Sequence, residues 1–379
     1  MRLEKKYNFD DALIVPNDTE IESRSLVNVE REFRFKWSTV VMEGVPIIAA
    51  NMDTVGTLAM AKALAKHNVY TALHKHLSDE DLKKTFTFGN ELTHNLFYSM
   101  GSSRQEFDRL LDLKIIPSRI CIDIANGHSK VLLDAVMRVR DHFNDAVIMA
   151  GNVVTGDRAV KVIESGADIV KVGIGPGSAC TTRKQTGVGY PQLSAVYECS
   201  KAVEEIGGMI CADGGCVVPG DISKALIAGA DFVMLGGMLA GTHESGGRII
   251  FYRKVPKKSV KITEENIYVF KSRYYENLES LPDKAWKLVP LDEPKMLFYG
   301  MSSDTAMNKY NGGVANYRSS EGRTVLIPFK GHVEGVILDI LGGIRSTMTY
   351  VDCLEISNMA YCAAMVETDQ QLNTVFLKR

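Results

Sequence analysis

No stretch of 18 consecutive apolar residues occurs in the 379-residue chain, which excludes a bilayer-spanning helix. The seven cysteines, at 121, 180, 199, 211, 216, 353 and 362, include no CxxC pair and no Cys/His group at zinc spacing. That odd, dispersed set argues against a disulfide framework and for a reducing compartment. Neither sign of charge is in surplus. The 44 Lys plus Arg against 46 Asp plus Glu leave −2, which gives no reason to expect nucleic acid or an anionic membrane as partner. The opening residues MRLEKKYNFDDALIVP carry charges where a signal peptide would have its apolar core. With 45% hydrophobic and 24% charged residues, and 11 Pro beside 32 Gly, global disorder and collagen are excluded too. The expectation is a cytoplasmic protein of enzyme size.

What is present is rhythm. Eight short apolar runs end in small or polar residues: Val45 to Met52, Val69 to His74, Leu96 to Met100, Ile120 to Asp123, Val147 to Gly151, Ile169 to Gly173, Met209 to Asp213 and Phe232 to Gly236. Between many of them lie segments with helical spacing: Leu58 to His67, Phe107 to Leu113, Val131 to Phe143, Ala159 to Ser165, Leu193 to Ile206 and Ile222 to Ala228. The alternation favours a parallel sheet with crossover helices, and eight runs suit a closed (β/α)8 TIM barrel, although a doubly wound open sheet alternates in the same way. After Gly247 the pattern changes to a charged stretch, about 248–296. There Val260, Ile262 and Ile267 to Phe270 suggest a hairpin within a solvated insertion. Two more helical stretches, Met301 to Tyr310 and Val333 to Ile340, flank a Gly- and charge-rich connection, 311–331, of the kind that forms a lid or binding loop. The whole of 1–379 is expected to be one barrel domain carrying this insertion and a mobile flap.

The densest cluster of unusual residues is VGIGPGSACTTRKQTGVGYPQ, Val172 to Gln192. Gly173, Gly175, Pro176 and Gly177 force a tight loop after a strand, which in a barrel places Cys180 on the catalytic face. A lone cysteine is usually a small buried hydrophobe. Here Ser178, Thr181, Thr182, Arg183 and Lys184 make the surroundings polar and positive, which favours a nucleophilic thiolate. Asp213 with Gly214 and Gly215, and Gly236 with Gly237, end the last two predicted strands, where barrels commonly bind phosphate through backbone N–H groups. Asp213, acceptor-only when ionised, suits ribose hydroxyls. His74 and His76 flank Lys75, but two ligands do not make a metal site.

The strings AANMDTVGT, HKH, CIDIANGHS, AGNVVTG, DIVKVGIGPGSACTTRKQTGVGYPQLSAV, DGGC, DFVMLGGMLAG, YGMSSDTAM, YRSSEG and DILGGIRSTMTYV run nearly end to end. In this order they resemble the superfamily of inosine monophosphate dehydrogenases and guanosine monophosphate reductases, its reductase branch in particular. The resemblance implies a (β/α)8 barrel, usually a homotetramer, with no zinc or flavin. Dehydrogenases carry a hydrolytic Arg-Tyr pair in a flap beyond the Gly-Met motif; here Gly300, Met301, Ser302 and Ser303 lead to Tyr317, Arg318, Ser319, Ser320, Glu321 and Gly322. The one Arg-Tyr dipeptide, Arg273 and Tyr274, lies upstream of Met301, and 78–118 is too short for the regulatory CBS modules that most dehydrogenases carry.

The resemblance further implies NADPH-dependent reductive deamination of GMP to IMP, in purine salvage, through a covalent purine thioimidate on Cys180. Thr182 and Glu321 would relay the proton that the departing amine needs. GMP would be held by Asp213, Gly214, Gly215, Gly236 and Gly237, by Gly300, Met301 and Ser302, and by Arg318 to Gly322. NADPH would meet Lys75, Asp123, Ile124 and Ala125 near the nicotinamide. Ser23, Arg24 and Ser346 to Thr349 (with Thr347 and Met348) would meet its adenosine end across subunits. Gly175, Gly177, Cys180 and Arg183 would offer carbonyl oxygens to a monovalent cation, K+. Three other readings compete: a dehydrogenase without its regulatory modules, a silent purine-nucleotide sensor, and a flavin-dependent barrel that would not need Cys180. The insertion is longer than the family leads one to expect. Its Tyr268, Phe270, Tyr274, Tyr275 and Trp286 suggest a subunit contact that supplies no core to the barrel.

Overall fold

A strand buried on both faces reads as a continuous apolar run rather than an alternating one. Such runs form the barrel. In the computed structural model, which describes residues 3–87, 89–256, 286–317 and 319–368, they are β1 (Met42–Ala49), β2 (Val69–Ala72), β3 (Leu96–Met100), β4 (Arg119–Asp123), β5 (Val147–Val153), β6 (Ile169–Val172), β7 (Met209–Asp213) and β8 (Phe232–Leu235). All eight are parallel, in sequence order. The ring closes where Val233, Met234 and Leu235 pair with Ile47, Ile48 and Ala49. The fold is therefore a closed (β/α)8 barrel and not an open doubly wound sheet. The run expected to extend to Met52 ends as a strand at Ala49, which leaves Ala50 to Met52 as loop at the mouth.

The crossover helices are α1 (Leu58–Ala65), α2 (Asp79–Thr85), α3 (Arg104–Asp112), α4 (Lys130–His142), α5 (Gly156–Glu164), the single-turn α6 (Thr182–Thr186), α7 (Gln192–Glu204) and α8 (Pro219–Ile227). Thr57, Ser78 and Ser103 cap α1, α2 and α3, each hydroxyl accepting an otherwise unpaired first-turn N–H. After α9 (Asp304–Asn311), the ring is completed by α10 (Val333–Tyr350), which packs between α8 and α1. Among the described residues no helix is long and apolar enough to cross a membrane.

The end of the barrel opposite Cys180 is plugged. The short strand Arg31–Phe33 runs antiparallel to the start of β1 and carries Phe33 under the barrel. Its ring stacks on Phe232 at 4.1 Å, with Tyr70 edge-on to both. Phe97 extends the cluster through Tyr70, and all four side chains are buried. Beside this plug the buried Asp168 carboxylate accepts N–H bonds from Trp37, Ser38 and Ile148 and pairs with Arg140 at 2.7 Å.

Beyond β8 the charged stretch supplies strands as well as surface. β9 (Ile249–Pro256), β10 (Trp286–Tyr299) and β11 (Thr324–Pro328) form an antiparallel sheet with β10 in the centre. The segment 248–296 was expected to supply no core, yet Ile250 and Met296 are buried, as are Phe298 and Tyr299 just after it. Sheet pairing explains the difference, since it sets Ile250, Met296 and Phe298 in the interior, with Phe298 lining the barrel mouth. Likewise β11 lies inside the connection 311–331 expected to be loop. The hairpin suggested by Val260, Ile262 and Ile267 to Phe270 lies outside the described residues, as do Tyr268, Arg273, Tyr274 and Tyr275.

Phe33→Ala removes a ring from a sealed aromatic cluster far from the mouth, and should lower unfolding free energy by about 3–5 kcal/mol. Urea melts should show that loss while turnover per folded molecule stays within about twofold of wild type, because the plug and the mouth lie at opposite ends.

Candidate active site

The mouth is a cleft of about 270 Å³ that gathers the loops after β1, β4, β6, β7 and β8, with Asn152 of β5 and the flap. The loop after β6 enters it through Gly173 to Ala179 and delivers Cys180, half-buried, just before α6. The Cys180 thiol donates to Thr182 Oγ1 at 3.3 Å, and the Thr182 hydroxyl donates to Glu321 Oε2 at 2.7 Å. Residues 139 positions apart in sequence thus form one line of hydrogen bonds ending on the sulfur.

Backbone pairing fixes that line. Cys180 bridges Gly322 in antiparallel fashion, Thr181 N donates to Glu321 O at 2.8 Å, and Arg323 N donates to Ala179 O at 2.9 Å. Glu321 N in turn donates to Ser302 O at 3.1 Å. The Cys180 loop and the flap are therefore held together by main-chain hydrogen bonds. Gly300 sits at the closest point: a Cβ there would lie 2.8 Å from Ala179 O.

Asp213, Gly214 and Gly215 line the cleft at the end of β7, and Gly236 and Gly237 at the end of β8. Gly214 and Gly215 adopt φ of +84° and +92°, a left-handed pair that favours glycine. Gly300, Met301, Ser302, Glu321 and Gly322 close it from the flap side. Ser319 is exposed and does not line the cleft; Ser320 Oγ bonds to Gly322 O instead. Arg318 lies outside the described residues.

The residue that sequence reasoning missed lies under this arrangement. Lys171, in the middle of β6, is almost wholly buried, with Nζ 2.8 Å from Asp123 Oδ1 and 3.0 Å from Asp213 Oδ2. It also donates to Asn51 Oδ1 at 3.3 Å, and Asn51 donates to the other Asp123 oxygen at 3.0 Å. A register shift in β5 at Asn152 brings that side chain inward, where its amide donates to Asp213 Oδ2 and Gly173 O, both at 2.8 Å. Burial alone would lower the Lys171 pKa, but the Asp123 and Asp213 charges raise it well above the ordinary lysine value. Burial likewise pushes Asp123 up, and the Lys171 ammonium with the Asn51 amide more than offsets it, holding the carboxyl below its usual range. The one legible signal was a lysine inside an otherwise apolar strand, DIVKV.

Of the residues expected near a dinucleotide, Asp123, Ile124 and Ala125 line the cleft. Lys75 does not; it pairs with Glu106 at 2.8 Å. Ser23 and Arg24 are exposed in a turn packed against α10, and Ser346 to Thr349 lie on α10 itself, so neither group reaches the cleft of the same chain. Within that helix the Met348 side chain is buried in the core, and the Thr347 hydroxyl is paired with Ser223 at 2.9 Å. Gly175, Gly177 and Cys180 share the β6 loop. Arg183 turns away from the cleft, its guanidinium donating to Tyr190 O and to Asn8 Oδ1. Two of their carbonyls are already engaged, Gly177 O by Cys180 N and Arg183 O by Gly187 N. Among the described residues no group of three or more His, Cys, Asp or Glu is placed to hold a metal.

Residues 6–264 match the family model described as IMP dehydrogenase / GMP reductase domain. The chain is 48% identical over 384 residues to the GMP reductase of Vibrio campbellii, with all of both chains covered. It is 47% identical over 382 residues to that of Vibrio cholerae, with 99% of each covered. It is also 46% identical over 374 residues to human GMP reductase 1, covering 98% of this chain and 97% of the human one.

Lys171→Met leaves two carboxylates facing each other with no cation between them, and should cost about 3–5 kcal/mol of stability. Adding Asp123→Asn removes one of those charges and should restore part of the loss. Urea melts of the two variants that superimpose would contradict the shared ion pair.

Proposed function

The chain belongs to the IMP dehydrogenase / GMP reductase family, and on that premise we propose that it is an NADPH-dependent GMP reductase. In this reading it converts GMP, with NADPH and protons, to IMP, ammonia and NADP+ in purine salvage. The observation that carries the reading is the line from Cys180 Sγ through Thr182 to Glu321 at the wall of the cleft.

Cys180, as thiolate, adds to carbon 2 of the guanine ring, and the carbon–amine bond then breaks. The departing nitrogen needs a proton, since an amide anion is too basic to leave, and Glu321 through Thr182 is the group at hand to pass one. The product of this half-reaction is a purine thioimidate on Cys180. NADPH, when bound, supplies the hydride to carbon 2, after which the carbon–sulfur bond breaks and Cys180 leaves as thiolate. Asp213, held between Lys171 and Asn152, offers carboxylate oxygens to ribose hydroxyls, while the amides around Gly214, Gly215, Gly236 and Gly237 face the phosphate. Gly300, Met301 and Ser302 would also hold GMP, with Arg318 to Gly322 expected over the purine.

Asp123, Ile124 and Ala125 suit the nicotinamide side of the cleft by their place in its lining, with Lys75 on the neighbouring loop. Ser23, Arg24 and Ser346 to Thr349 fit the adenosine end only from a neighbouring copy, which accords with a homotetramer. A K+ ion would draw on carbonyls of Gly175, Gly177, Cys180 and Arg183, and no step depends on it. The domain reading is one barrel over 1–379 with an insertion at 248–296 and a flap at 311–331, acting in the cytoplasm. A dehydrogenase is disfavoured by Glu321 at the position next to Thr182, with no Arg-Tyr pair beyond Met301 in the sequence.

The deciding assay follows the nicotinamide absorbance with GMP plus NADPH and then with IMP plus NAD; turnover only in the second mixture would overturn the reductase reading. Cys180→Ser should abolish turnover and leave GMP affinity within about threefold, since a hydroxyl at its ordinary pKa is a far weaker nucleophile. Appreciable turnover by that variant would rule out the covalent route. Glu321→Gln should slow ammonia release by about 100-fold or more while hydride transfer to preformed thioimidate is nearly spared. Single-turnover quench experiments showing equal losses in both steps would contradict the relay.

A further inference from the structure

Outside the cleft, three side chains remote in sequence from Asp53 meet on its carboxylate. Asp53, in the loop after β1, is almost wholly buried. Its Oδ2 accepts from the Tyr299 hydroxyl at 2.5 Å, the Tyr310 hydroxyl at 2.6 Å and Lys309 Nζ at 2.9 Å. Lys309 Nζ also donates to the Tyr299 hydroxyl at 3.3 Å. The Tyr310 ring lies flat on His76, centroids 3.6 Å apart and planes 6° apart. The loop carrying Asp53 is itself clamped. Thr57 Oγ1 donates to Glu244 O at 2.5 Å, and a Cβ on Gly246 would lie 2.0 Å from Asp53 O.

The three donors bracket the segment, just before the flap, that touches the cleft. Tyr299 ends β10 immediately before Gly300, Met301 and Ser302, whereas Lys309 and Tyr310 lie in the last turn of α9, which begins at Asp304. Ser302 O receives the Glu321 amide, and Glu321 Oε2 receives the Thr182 hydroxyl. A route of direct contacts therefore runs from Asp53 through both ends of 299–310 to the carboxylate beside the nucleophile. We propose that Asp53 is a positioning residue for the reaction. By fixing Tyr299, Lys309 and Tyr310 at one buried point it sets the placement of Glu321 against Thr182 and Cys180, and through His76 it ties α9 to the loop bearing Lys75. This rests on the Glu321 relay proposed above. Supporting it, burial would push the Asp53 carboxyl up, yet the Tyr299, Tyr310 and Lys309 donors hold it below the ordinary aspartate value, so the carboxylate stays charged. A charged acceptor makes stronger bonds than a neutral amide would, and an amide in its place cannot accept all three donors on one oxygen as well.

The test is a double-mutant cycle on the full chain. Asp53→Asn should lower kcat for GMP reduction by about 100-fold, the size of effect that misplacing a catalytic group by about 1 Å produces, with GMP dissociation constant within about threefold. Because both changes act on the same proton transfer, the Asp53→Asn/Glu321→Gln double variant should be no more than about threefold slower than Glu321→Gln alone. Losses that multiply, or an Asp53→Asn enzyme with wild-type kcat, overturn the proposal. Glu321→Gln at wild-type rate overturns the relay itself, and a slow Asp53→Asn enzyme beside it shows that Asp53 acts by another route, which also overturns the proposal. Should Asp53→Asn fail to fold, Tyr310→Phe and Lys309→Met each remove one donor from the rim; each should lower kcat by about 3–10-fold with the same lack of additivity against Glu321→Gln.

Discussion

The ammonium of Lys171, shared by Asp123 and Asp213, is the constraint on which the rest of the mouth depends. A cation taken out of water has to be matched, and a single carboxylate would leave its other donors unspent. Two carboxylates from β4 and β7, with the amide of Asn51, meet that demand and orient the strand ends on both sides of β6. Asp213 is then presented with one oxygen engaged by Lys171 and Asn152, its direction settled before any nucleotide arrives. A group prepared in this way does not have to be reorganised at the moment of binding, which is where much of a site's affinity is otherwise lost.

The opposite wall of the cleft is held by other means. Where the barrel side relies on buried charge, the flap side relies on main-chain pairing across Cys180 and Gly322 and on the Asp53 knot behind it. The two systems meet in the loop after β1, which carries both Asn51 and Asp53, and again at the Cys180 loop. Its glycines pack against β7 on one side, and its residues Ala179 to Thr181 exchange backbone bonds with the flap on the other. The Cys180 sulfur thus sits between two supports, one of buried charge and one of main-chain pairing, that share the loop after β1.

How much of this was readable beforehand follows from which forces act locally. The barrel strands were legible because burial on both faces leaves a continuous apolar run, and the Cys180 loop because glycine and proline mark a sharp turn. Helix α2 was missed, since only Leu82 and Thr85 of its residues are buried and so no apolar period forms. Strands β9 and β10 were hidden by their charges, and β11, the apolar TVLIP, by its shortness within a Gly- and charge-rich connection. Asp53 had no local signal at all, its partners Tyr299 and Tyr310 lying 246 and 257 residues away, and periodicity reports only on neighbours in sequence. Lys171 showed a faint signal, a charge in an apolar strand, whose meaning needed two further strands to be placed beside it.

The pairing of β9 with β10 has a consequence for how this protein tolerates change. Pro256 and Trp286 are opposite one another in the ladder, so the connection between them starts and finishes at neighbouring points. Bringing the ends of such a connection together costs free energy that grows only with the logarithm of its length, about 0.6 kcal/mol for each doubling. A change in the length of this connection is accordingly expected to cost little in stability, because the ladder already holds its two ends side by side.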